Sequence, residues 1–413
     1  MPKSIALIGT LDTKGEQLEY LKRAIEGHGR QVIVIDVGVM GSVPFKPIIS
    51  REEVAQASES SLEEIIALND EGKAMDKMTE GVSKVVKGLY SNDKLNSVLV
   101  VGGSMGTALA LQVMKVLPIG LPKLILSTVA YSPAITADMA NSDFMMLPWF
   151  AGLWGLNSLT RQVLETAAGA ISGAAEAYDR KQVIKKKVVG VTSLGQTVCR
   201  YMNQLKPALE ERGYEVAVFH ATGMSGRLFE RAIMDGSIAA SLDLSVGVEL
   251  VNEVAGGVAS AGKHRLEAAG KMGIPQIVSP GAIDAFHWGQ DRPLPAKYRD
   301  RPHHWHNPLL DVVISSTRER AAVGELMAQK LNQATGPTAV VIPMKGIQPL
   351  RRPVGLDPFF ENLLNPGPGL KAFRKALMKD LKPEVKVVVL DADLNDPSYV
   401  NAVLALFDEM MRG

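Results

Sequence analysis

The first turn of the chain that could do chemistry lies at residues 9–15, with the sequence GTLDTKG. It follows an apolar run at residues 4–7 that predicts a buried strand, and it precedes a predicted helix. Backbone N–H groups and the helix dipole at such a turn can bind a phosphate. Lys14 supplies a mobile positive charge, and Asp12 or a hydroxyl can bind a metal ion. The turn therefore predicts an anion site, with an ordinary βα turn capped by Asp12 as the alternative.

A second turn of this kind lies at residues 102–107, with the sequence GGSMGT, after an apolar run at residues 98–101. Its glycines let the backbone approach a phosphate without a Cβ clash, and Ser104 and Thr107 can donate hydroxyl hydrogen bonds. Because ligands in parallel sheets bind beyond the carboxyl ends of the strands, the two turns would converge on one anion. A tight βα turn with Ser104 as its N-cap is the alternative.

Asp36 ends the second predicted strand. Dinucleotide-binding folds place an acid about 20 residues after their glycine turn, where it binds a ribose hydroxyl. The position therefore allows Asp36 to bind a ribose, and a turn-capping aspartate is equally consistent with it. The first turn is not a Walker A loop, because it lacks the spacing of two glycines before Lys-Ser/Thr.

A third turn, at residues 220–227 (HATGMSGR), follows a predicted strand in the second half of the chain and would suit a carboxylate or other anion of a substrate. Glu249 and Glu253 are four residues apart and share a helix face. They could act as a base or as metal ligands, with solvated side chains as the alternative. We expect His220, Glu249 and His306 to be catalytic. The expected substrate-binding residues are Gly223, Arg227, Lys263, Arg265 and Arg301.

Histidines are concentrated in the second half of the chain. Six of the seven lie after residue 219, and four lie within residues 287–306. General acid–base catalysis or substrate binding by one of them, most readily His306, fits this pattern. A transition-metal site with Asp284 or Asp311 is an alternative, although the spacing matches no standard zinc pattern. The other histidines are structural by default.

The composition predicts a folded protein of two domains. The chain has 413 residues, of which 46% are hydrophobic and 22% charged, and this length exceeds one ordinary core. The formal net charge is +1, so we expect no nucleic-acid partner. The single Cys199 excludes an internal disulfide and favours a cytoplasmic location. No apolar run reaches the ~20 residues of a membrane helix, so we expect no membrane association.

Strand and helix patterns alternate along almost the whole chain, which is typical of parallel α/β layers. We predict an N-terminal domain at residues 1–182 and a C-terminal domain at residues 183–413. Several positions of a strand–helix–strand unit recur at an offset of 184 residues, for example Val32 and Val216. The fold class is therefore predicted as α/β, with two Rossmann-like parallel-sheet domains that face an interdomain cleft.

Residues 148–154, with the sequence PWFAGLW, are apolar and aromatic but interrupted by Gly and Pro. Such a stretch is too short for a membrane helix and suggests a surface through which copies of the chain associate. We expect a homodimer or a higher homo-oligomer.

The chain resembles the UPF0261 family, also called Tm-1-like ATP-binding proteins, over essentially its whole length. The stretches that carry the resemblance are residues 9–15, 102–107, 220–223, 256–258, 260–262, 265–269, 273–276, 279–281 and 306–308. The resemblance implies ATP as the ligand, with Mg²⁺, bound by the N-terminal domain. Carried onto this sequence, it implies binding by Thr10, Asp12, Thr13, Lys14, Gly102, Gly103, Ser104, Gly106 and Thr107, with Asp12 at the metal.

Three functions remain open from the sequence. In the first, the chain is a nucleotide-dependent enzyme that acts on a small anionic metabolite in the cleft, by phosphoryl or adenylyl transfer. In the second, it binds ATP as a regulatory or interaction protein without turnover. In the third, it is a non-nucleotide lyase or hydrolase that uses the C-terminal His, Glu and Arg residues on a substrate like a sugar acid.

Overall fold

A computed structural model describes residues 4–180, 186–195, 198–346 and 367–412. The chain divides into two compact units, Met1–Val183 and Ile184–Gly413, called here the N-terminal and C-terminal units. The predicted boundary between residues 182 and 183 lies outside the described residues. Each unit contains a parallel sheet flanked by helices, so the predicted α/β class with two parallel sheets is confirmed.

The N-terminal unit is a doubly wound α/β structure. Its elements are β1 (Ser4–Gly9), α1 (Leu11–Gly27), β2 (Gln31–Asp36), α2 (Arg51–Ala57), α3 (Leu62–Ala67), α4 (Glu71–Ser91), β3 (Leu95–Gly102), α5 (Ser104–Val116), β4 (Lys123–Ser127), β5 (Met145–Pro148) and α6 (Ser158–Asp179). The five strands are parallel, in the order β2-β1-β3-β4-β5. The strand order reverses between β1 and β3, which is where doubly wound folds bind ligands.

Strand β1 lies at the centre of this sheet because both of its faces are apolar. Ile5 and Leu7 belong to the cluster formed with α1 and α6, whereas Ala6 and Ile8 belong to the cluster formed with α2, α4 and α5. Alternate residues of a strand point to opposite faces, so a continuous apolar run fits a strand covered on both sides. The turns that follow β1 and β3 are thereby held at one edge of a rigid sheet.

The C-terminal unit contains a larger parallel sheet. Its elements are β6 (Val188–Ser193), α7 (Met202–Glu211), β7 (Glu215–His220), α8 (Met224–Met234), β8 (Ala240–Asp243), α9 (Val246–Ala255), α10 (Ala268–Met272), β9 (Gln276–Val278), β10 (Ala285–Gly289), a 3-10 turn (Ala296–Tyr298), β11 (His303–Asn307), β12 (Leu310–Ile314), α11 (Thr317–Leu331), β13 (Thr338–Pro343), α12 (Gly367–Asp380), β14 (Lys386–Leu390) and α13 (Pro397–Met410). Six parallel strands have the order β7-β6-β8-β9-β13-β14.

The two parallel sheets share the arrangement of their first four strands. The order β2-β1-β3-β4 in one unit corresponds to β7-β6-β8-β9 in the other, in agreement with the recurring offset in the sequence. One predicted strand has a different place, because β12 belongs to a separate antiparallel sheet of order β10-β12-β11 rather than to the parallel sheet. Among the described residues, no helix is long and apolar enough to cross a membrane.

Candidate functional site

A cavity of about 360 Å³ opens where β1 and β3 end, at the reversal of strand order. The turns after both strands line it, as the sequence predicts for a shared anion site. A side chain at Gly102 would place its Cβ 2.5 Å from the Cα of Gly106, so the glycines let α5 begin directly against β3. The predicted residues that line the cavity are Thr10, Asp12, Thr13, Lys14, Gly102, Gly103, Ser104 and Gly106.

Lys14 belongs to a compact polar group at this cavity. Its backbone (φ −134°, ψ 22°) interrupts the helical geometry of the first turn of α1. The ammonium Nζ donates to the hydroxyl oxygens of Thr10, at 3.3 Å, and Thr13, at 3.2 Å, which are 2.6 Å from each other. Burial lowers the pKa of Lys14, and the nearby charge of Asp12 partly opposes this. A bound anion would therefore relieve a desolvated positive charge.

Asp12 has a carboxylate oxygen without a partner. Its side chain is only 3% exposed. Oδ2 accepts a hydrogen bond from the backbone N–H of Met40 at 2.8 Å and lies 4.0 Å from the guanidinium of Arg51. Oδ1 is buried, and none of the described residues gives it a hydrogen bond. Since a buried unpaired carboxylate oxygen is costly, this atom is suited to a cation.

Two of the predicted cofactor-binding residues do not line the cavity. Asp36 is fully buried, and its Oδ1 accepts the backbone N–H groups of Leu11, at 3.0 Å, and Gly38, at 2.9 Å. Burial raises the pKa of Asp36, and these two hydrogen bonds oppose that rise. Thr107 is also buried and shares a 2.7 Å hydroxyl hydrogen bond with Ser127. These hydrogen bonds agree with the turn-capping alternative for Asp36, whose carboxylate holds the start of α1, and the ribose contact stays a prediction.

Apolar side chains also line this cavity. Helix α4 contributes Met75 and Met78, α5 contributes Leu109, and the turn after β2 contributes Val39 and Met40. Methionine side chains adapt to irregular surfaces and make favourable sulfur–aromatic contacts. The lining of one cavity thus combines a cation and hydroxyl groups with apolar side chains that suit a flat heterocycle.

In the C-terminal unit, Arg265 lies at the centre of a buried ion network. Its guanidinium donates to Asp243 at 2.5 and 2.7 Å, to Glu249 at 2.6 Å and to Glu230 at 2.8 Å. The Arg265, Asp243 and Glu249 side chains are almost completely buried. Three carboxylates of the fold thus accept the hydrogen bonds of Arg265, which favours a structural role, and substrate binding by Arg265 stays a prediction.

Glu249 occupies the anion position that the third turn predicts for a substrate. Its Oε1 accepts the backbone N–H of Gly223 at 2.7 Å, at the start of α8. A Cβ on Gly226 would lie 2.3 Å from the same carboxylate, so the helix packs directly on it. Burial raises the pKa of Glu249, and the charge of Arg265 opposes this. Glu249 and Gly223 thus bind each other within the fold, and their expected catalytic and substrate-binding roles stay predictions.

The other predicted substrate-binding cations, Arg227, Lys263 and Arg301, differ in their partners and in their exposure. Arg227 is half-buried, and its guanidinium donates to the carbonyl of Ser260 at 3.4 Å. Lys263 is exposed. Arg301 donates to Glu319 at 2.6 Å, and its guanidinium carbon lies 4.7 Å from the ring centre of Tyr298. Arg301 therefore has a structural ion pair, whereas Arg227 and Lys263 stay candidates for substrate binding.

Of the histidines, His220 ends β7 and His306 lies in β11, and both are exposed. Between them in sequence, His287 of β10 was not singled out by its spacing. Burial lowers the pKa of His287 to about 4, with further contributions from His306 and His220. The described residues contain no group of three His, Cys, Asp or Glu side chains that could hold a metal ion. The proposed histidine metal site thus gains no support.

The aromatic stretch near β5 is largely on the surface. Trp154 is 95% exposed and Phe150 is 68% exposed, whereas Leu153 is buried. The indole of Trp149 donates to the carbonyl of Gly152 at 2.6 Å. Two large exposed rings so close in sequence are consistent with an association surface, and self-association stays a prediction.

Comparison with known proteins finds similarity over nearly the whole chain. The profile described as "Uncharacterised protein family (UPF0261) N-terminal domain" matches residues 3–180, and that of the UPF0261 C-terminal domain matches residues 186–411. A UPF0261 protein of Brucella suis is 37% identical over 411 residues, which cover 98% of this chain and 94% of that protein. The ToMV resistance protein Tm-1(GCR237) of Solanum lycopersicum is 29% identical, over 98% of this chain and 55% of its own length.

Similarity to solved structures is weak. The crystal structure of a putative UDP-N-acetylglucosamine 2-epimerase from Listeria monocytogenes covers 100% of this chain and 97% of that one, at 12% identity and a TM-score of 0.23. At this level the likeness carries no argument about function.

Proposed function

Given that this chain belongs to the UPF0261 family, we propose that its N-terminal unit binds ATP with Mg²⁺ in the cavity where β1 and β3 end. We further propose that the chain is a nucleotide-dependent enzyme acting on a small anionic metabolite. The observation that carries the first proposal is the convergence of two turns on one cavity at the reversal of strand order. Doubly wound folds place their ligands there.

The polar groups that line the cavity support binding of the phosphates. The ammonium of Lys14 is desolvated. Among the described residues, it donates its hydrogen bonds to hydroxyl oxygens. Gly103 is the N-cap of α5 and has no capping side chain, so the first backbone N–H groups of that helix face an anion without competition from a cap. A triphosphate would satisfy both groups, and the base would contact apolar lining residues such as Met75 and Met78.

The residues present also fit Mg²⁺. Asp12 lines the cavity, and its buried Oδ1 has no hydrogen-bond partner among the described residues. Mg²⁺ is usually held by one or two carboxylates, several waters and the substrate phosphates, so a single aspartate suffices. When bound, Mg²⁺ would neutralise phosphate charge during transfer. Asp12 would anchor the ion, while Lys14 would bind phosphate oxygens.

ATP binding without turnover is a second candidate function. It is favoured by the ion network in the C-terminal unit, where Glu249 and Arg265 form a buried ion pair. The same network weakens the third candidate, a lyase or hydrolase, because it removes two of the charged groups on which that chemistry would rely. Sustained phosphate or pyrophosphate release with any metabolite of a panel of carboxylic and phosphorylated acids would decide for the enzyme.

Isothermal titration calorimetry with Mg-ATP tests the binding site. The wild-type chain should bind ATP, and Lys14→Met should weaken binding by roughly 10- to 100-fold, the effect of losing a charged hydrogen bond. Lys22→Met is the matched control, because Lys22 lies on the same helix α1 in a partly exposed ion pair with Glu26. No binding by the wild type, or equal effects of the two substitutions, would remove the proposal.

A further inference from the structure

The side chain of Asn252 has an orientation that its surroundings fix. Asn252 is fully buried on α9. Its Oδ1 accepts the backbone N–H groups of His287, at 2.9 Å, and Ala259, at 3.2 Å, and its Nδ2 donates to the carbonyl of Val248 at 2.7 Å. Exchanging the amide oxygen and nitrogen would set donors against donors at two contacts. The amide NH₂ of Asn252 therefore faces Nδ1 of His287, at 3.5 Å.

This contact selects the form of the His287 ring. An NH₂ group can only donate, so the ring nitrogen opposite it must be the unprotonated one. The proton of the neutral imidazole then lies on Nε2. A doubly protonated ring would point an N–H at the NH₂ of Asn252, which agrees with the lowered pKa of His287. His287 is accordingly a hydrogen-bond donor at Nε2 and not a base at that atom.

Contacts of the backbone bring His220 to the same region. The loop after β7 packs on residues 259 and 260: a Cβ on Gly223 would lie 2.8 Å from the carbonyl oxygen of Ser260. The adjoining Val258 donates its backbone N–H to the carbonyl of His287 at 2.9 Å. The loop that begins at His220, the loop at residues 256–262 and strand β10 thus form one packed layer.

The antiparallel sheet brings the other histidines to the same region. His287 and His304 are both paired with Val312, from opposite sides, so the three side chains share one face. The register of β11 shifts between Trp305 and Asn307, which makes His306 the extra residue of a bulge. Bulges commonly redirect a side chain at functional sites.

The carboxylates of neighbouring elements are directed elsewhere. Asp311 is paired with Trp288 and therefore lies on the opposite face of the antiparallel sheet from His287. On α9, Glu249 is bound to Arg265 and to the start of α8, and Glu253 accepts a hydrogen bond from Ser260. Among the described residues, the neighbouring charges that lower the pKa of His287 are those of the His306 and His220 imidazoles, and His304 lies on the same face of the sheet.

We propose that His287, His220 and His306 form an anion-binding site in the C-terminal unit, in which the neutral ring of His287 donates its Nε2–H to a carboxylate or phosphate oxygen. His220 and His306, when protonated, supply positive charge beside that oxygen. A neutral imidazole donor polarises an oxygen without taking its proton, so His287 is a binding residue and not a general base. The site deepens the proposed function, because its ligand would be the anionic metabolite.

Long-range ¹H–¹⁵N NMR of the full chain with labelled histidine tests the wild type directly. We expect the Nε2–H tautomer at His287 and a ring that stays neutral as the pH falls well below the ordinary histidine range. Malonate and inorganic phosphate, titrated separately, should shift the Nε2 signal of His287 together with signals of His220 and His306. An Nδ1–H tautomer, or no shift at His287 with either anion, would overturn the proposal.

His287→Phe should weaken binding of the anion that shifts the wild-type signals by at least tenfold. His264→Gln is the matched control, because it removes an exposed imidazole of the same unit that is hydrogen-bonded to Glu267 at 3.1 Å. Equal affinities of wild type and His287→Phe would also overturn the site. ATP binding by His287→Phe should be unchanged, so failure of the anion site and failure of the nucleotide site are separate results. If His287→Phe does not fold, the wild-type titrations decide.

Discussion

Where β1 and β3 end, the N-terminal unit has a cavity, whereas at the equivalent ends of β6 and β8 in the C-terminal unit the described polar side chains are buried and hydrogen-bonded to one another. The hydroxyl of Tyr201 donates to the carbonyl of Thr192 at 2.8 Å and lies 3.0 Å from the hydroxyl of Ser245. Thr192 in turn donates to Asp243 at 2.7 Å and accepts the backbone N–H of Ser245 at 3.0 Å. Polar groups in this place satisfy one another.

This difference indicates that the reversal of strand order creates a position where a ligand can bind. The side chains that follow the strands determine which groups that position presents. In both parallel sheets, the strand order reverses between the first and the third strand of the unit. In one, glycine and short hydroxyl residues line the cavity, and among the described residues the Lys14 ammonium donates its hydrogen bonds to hydroxyl oxygens. In the other, Tyr201 is buried against Thr192 and Ser245, and Arg265 pairs with carboxylates. The charge of Lys14 therefore faces the cavity of the proposed nucleotide site, whereas the charge of Arg265 is paired within the fold.

The largest effect that follows from this comparison concerns Arg265→Met. Removing the guanidinium leaves the carboxylates of Asp243 and Glu249 buried without a counter-charge, and breaking a buried ion pair in this way costs about 3–5 kcal/mol. Urea unfolding followed by circular dichroism should show that loss near neutral pH. Lys14→Met, by contrast, should change the free energy of unfolding by less than about 0.5 kcal/mol.

Lys271→Met is the control for Arg265→Met. Lys271 forms an exposed pair with Glu267, four residues earlier, and such pairs contribute about 0.3–0.5 kcal/mol. If Arg265→Met were as stable as this control, the ion network would not support the fold, and Arg265 would again be a candidate for substrate binding. The contrast between the two units would then fail.

The sequence predicts the parts of this contrast that have local signals. Lys14 and the turn at residues 102–107 were found because glycine and hydroxyl residues follow apolar runs, and these runs become the buried strands β1 and β3. The antiparallel sheet was missed as a separate element. Its strand β11, with the sequence HHWHN, has no alternation of apolar and polar residues that would predict it.

The roles of buried charges could not be predicted, because their partners are distant in sequence. Arg265 is paired with residues 16 to 35 positions earlier, and Asp36 caps a helix 25 positions away. Nothing in the spacing distinguishes such a side chain from an exposed ligand-binding one. His287 was overlooked for the same reason: Asn252, which fixes its ring, lies 35 positions before it.

A smaller effect should appear when the pH is lowered. The pKa of His287 is about 4 in the folded chain against 6.5 ordinarily. Between these values the imidazole of His287 binds a proton in the unfolded chain but not in the folded chain. The free energy of unfolding therefore falls as the pH falls from about 6.5 to 4. Between about pH 7.5 and pH 5, His287 should remove about 2 kcal/mol of stability.

Unfolding of wild type and His287→Phe at both pH values isolates this contribution from those of the carboxylates. The difference in unfolding free energy between the two chains should move in favour of the variant by about 2 kcal/mol at the lower pH. A difference that does not change with pH would show that His287 is protonated in the folded chain. The C-terminal unit would then carry a charged imidazole, and the amide of Asn252 would not control its ring.

The smallest effect concerns ATP affinity at high pH, and it tests the N-terminal half of the comparison. Burial lowers the pKa of Lys14, and a bound phosphate would raise it again. Above the lowered pKa, binding must take up a proton, so ATP affinity should fall as the pH rises, by at most about tenfold per pH unit. Calorimetry from about pH 8 upward, where phosphate is fully ionised, in buffers of different ionisation enthalpy measures both the decline and the proton uptake.

Lys14→Arg separates this proton from any other. A guanidinium stays charged throughout the range, so the variant should bind ATP with no proton uptake and with an affinity that does not depend on pH. If wild type and Lys14→Arg declined equally, the titrating group would lie elsewhere and Lys14 would not contact the phosphates. Because the Lys14 ammonium contacts hydroxyls, whereas the guanidinium of Arg265 is paired with carboxylates, only the former should give binding this dependence on pH.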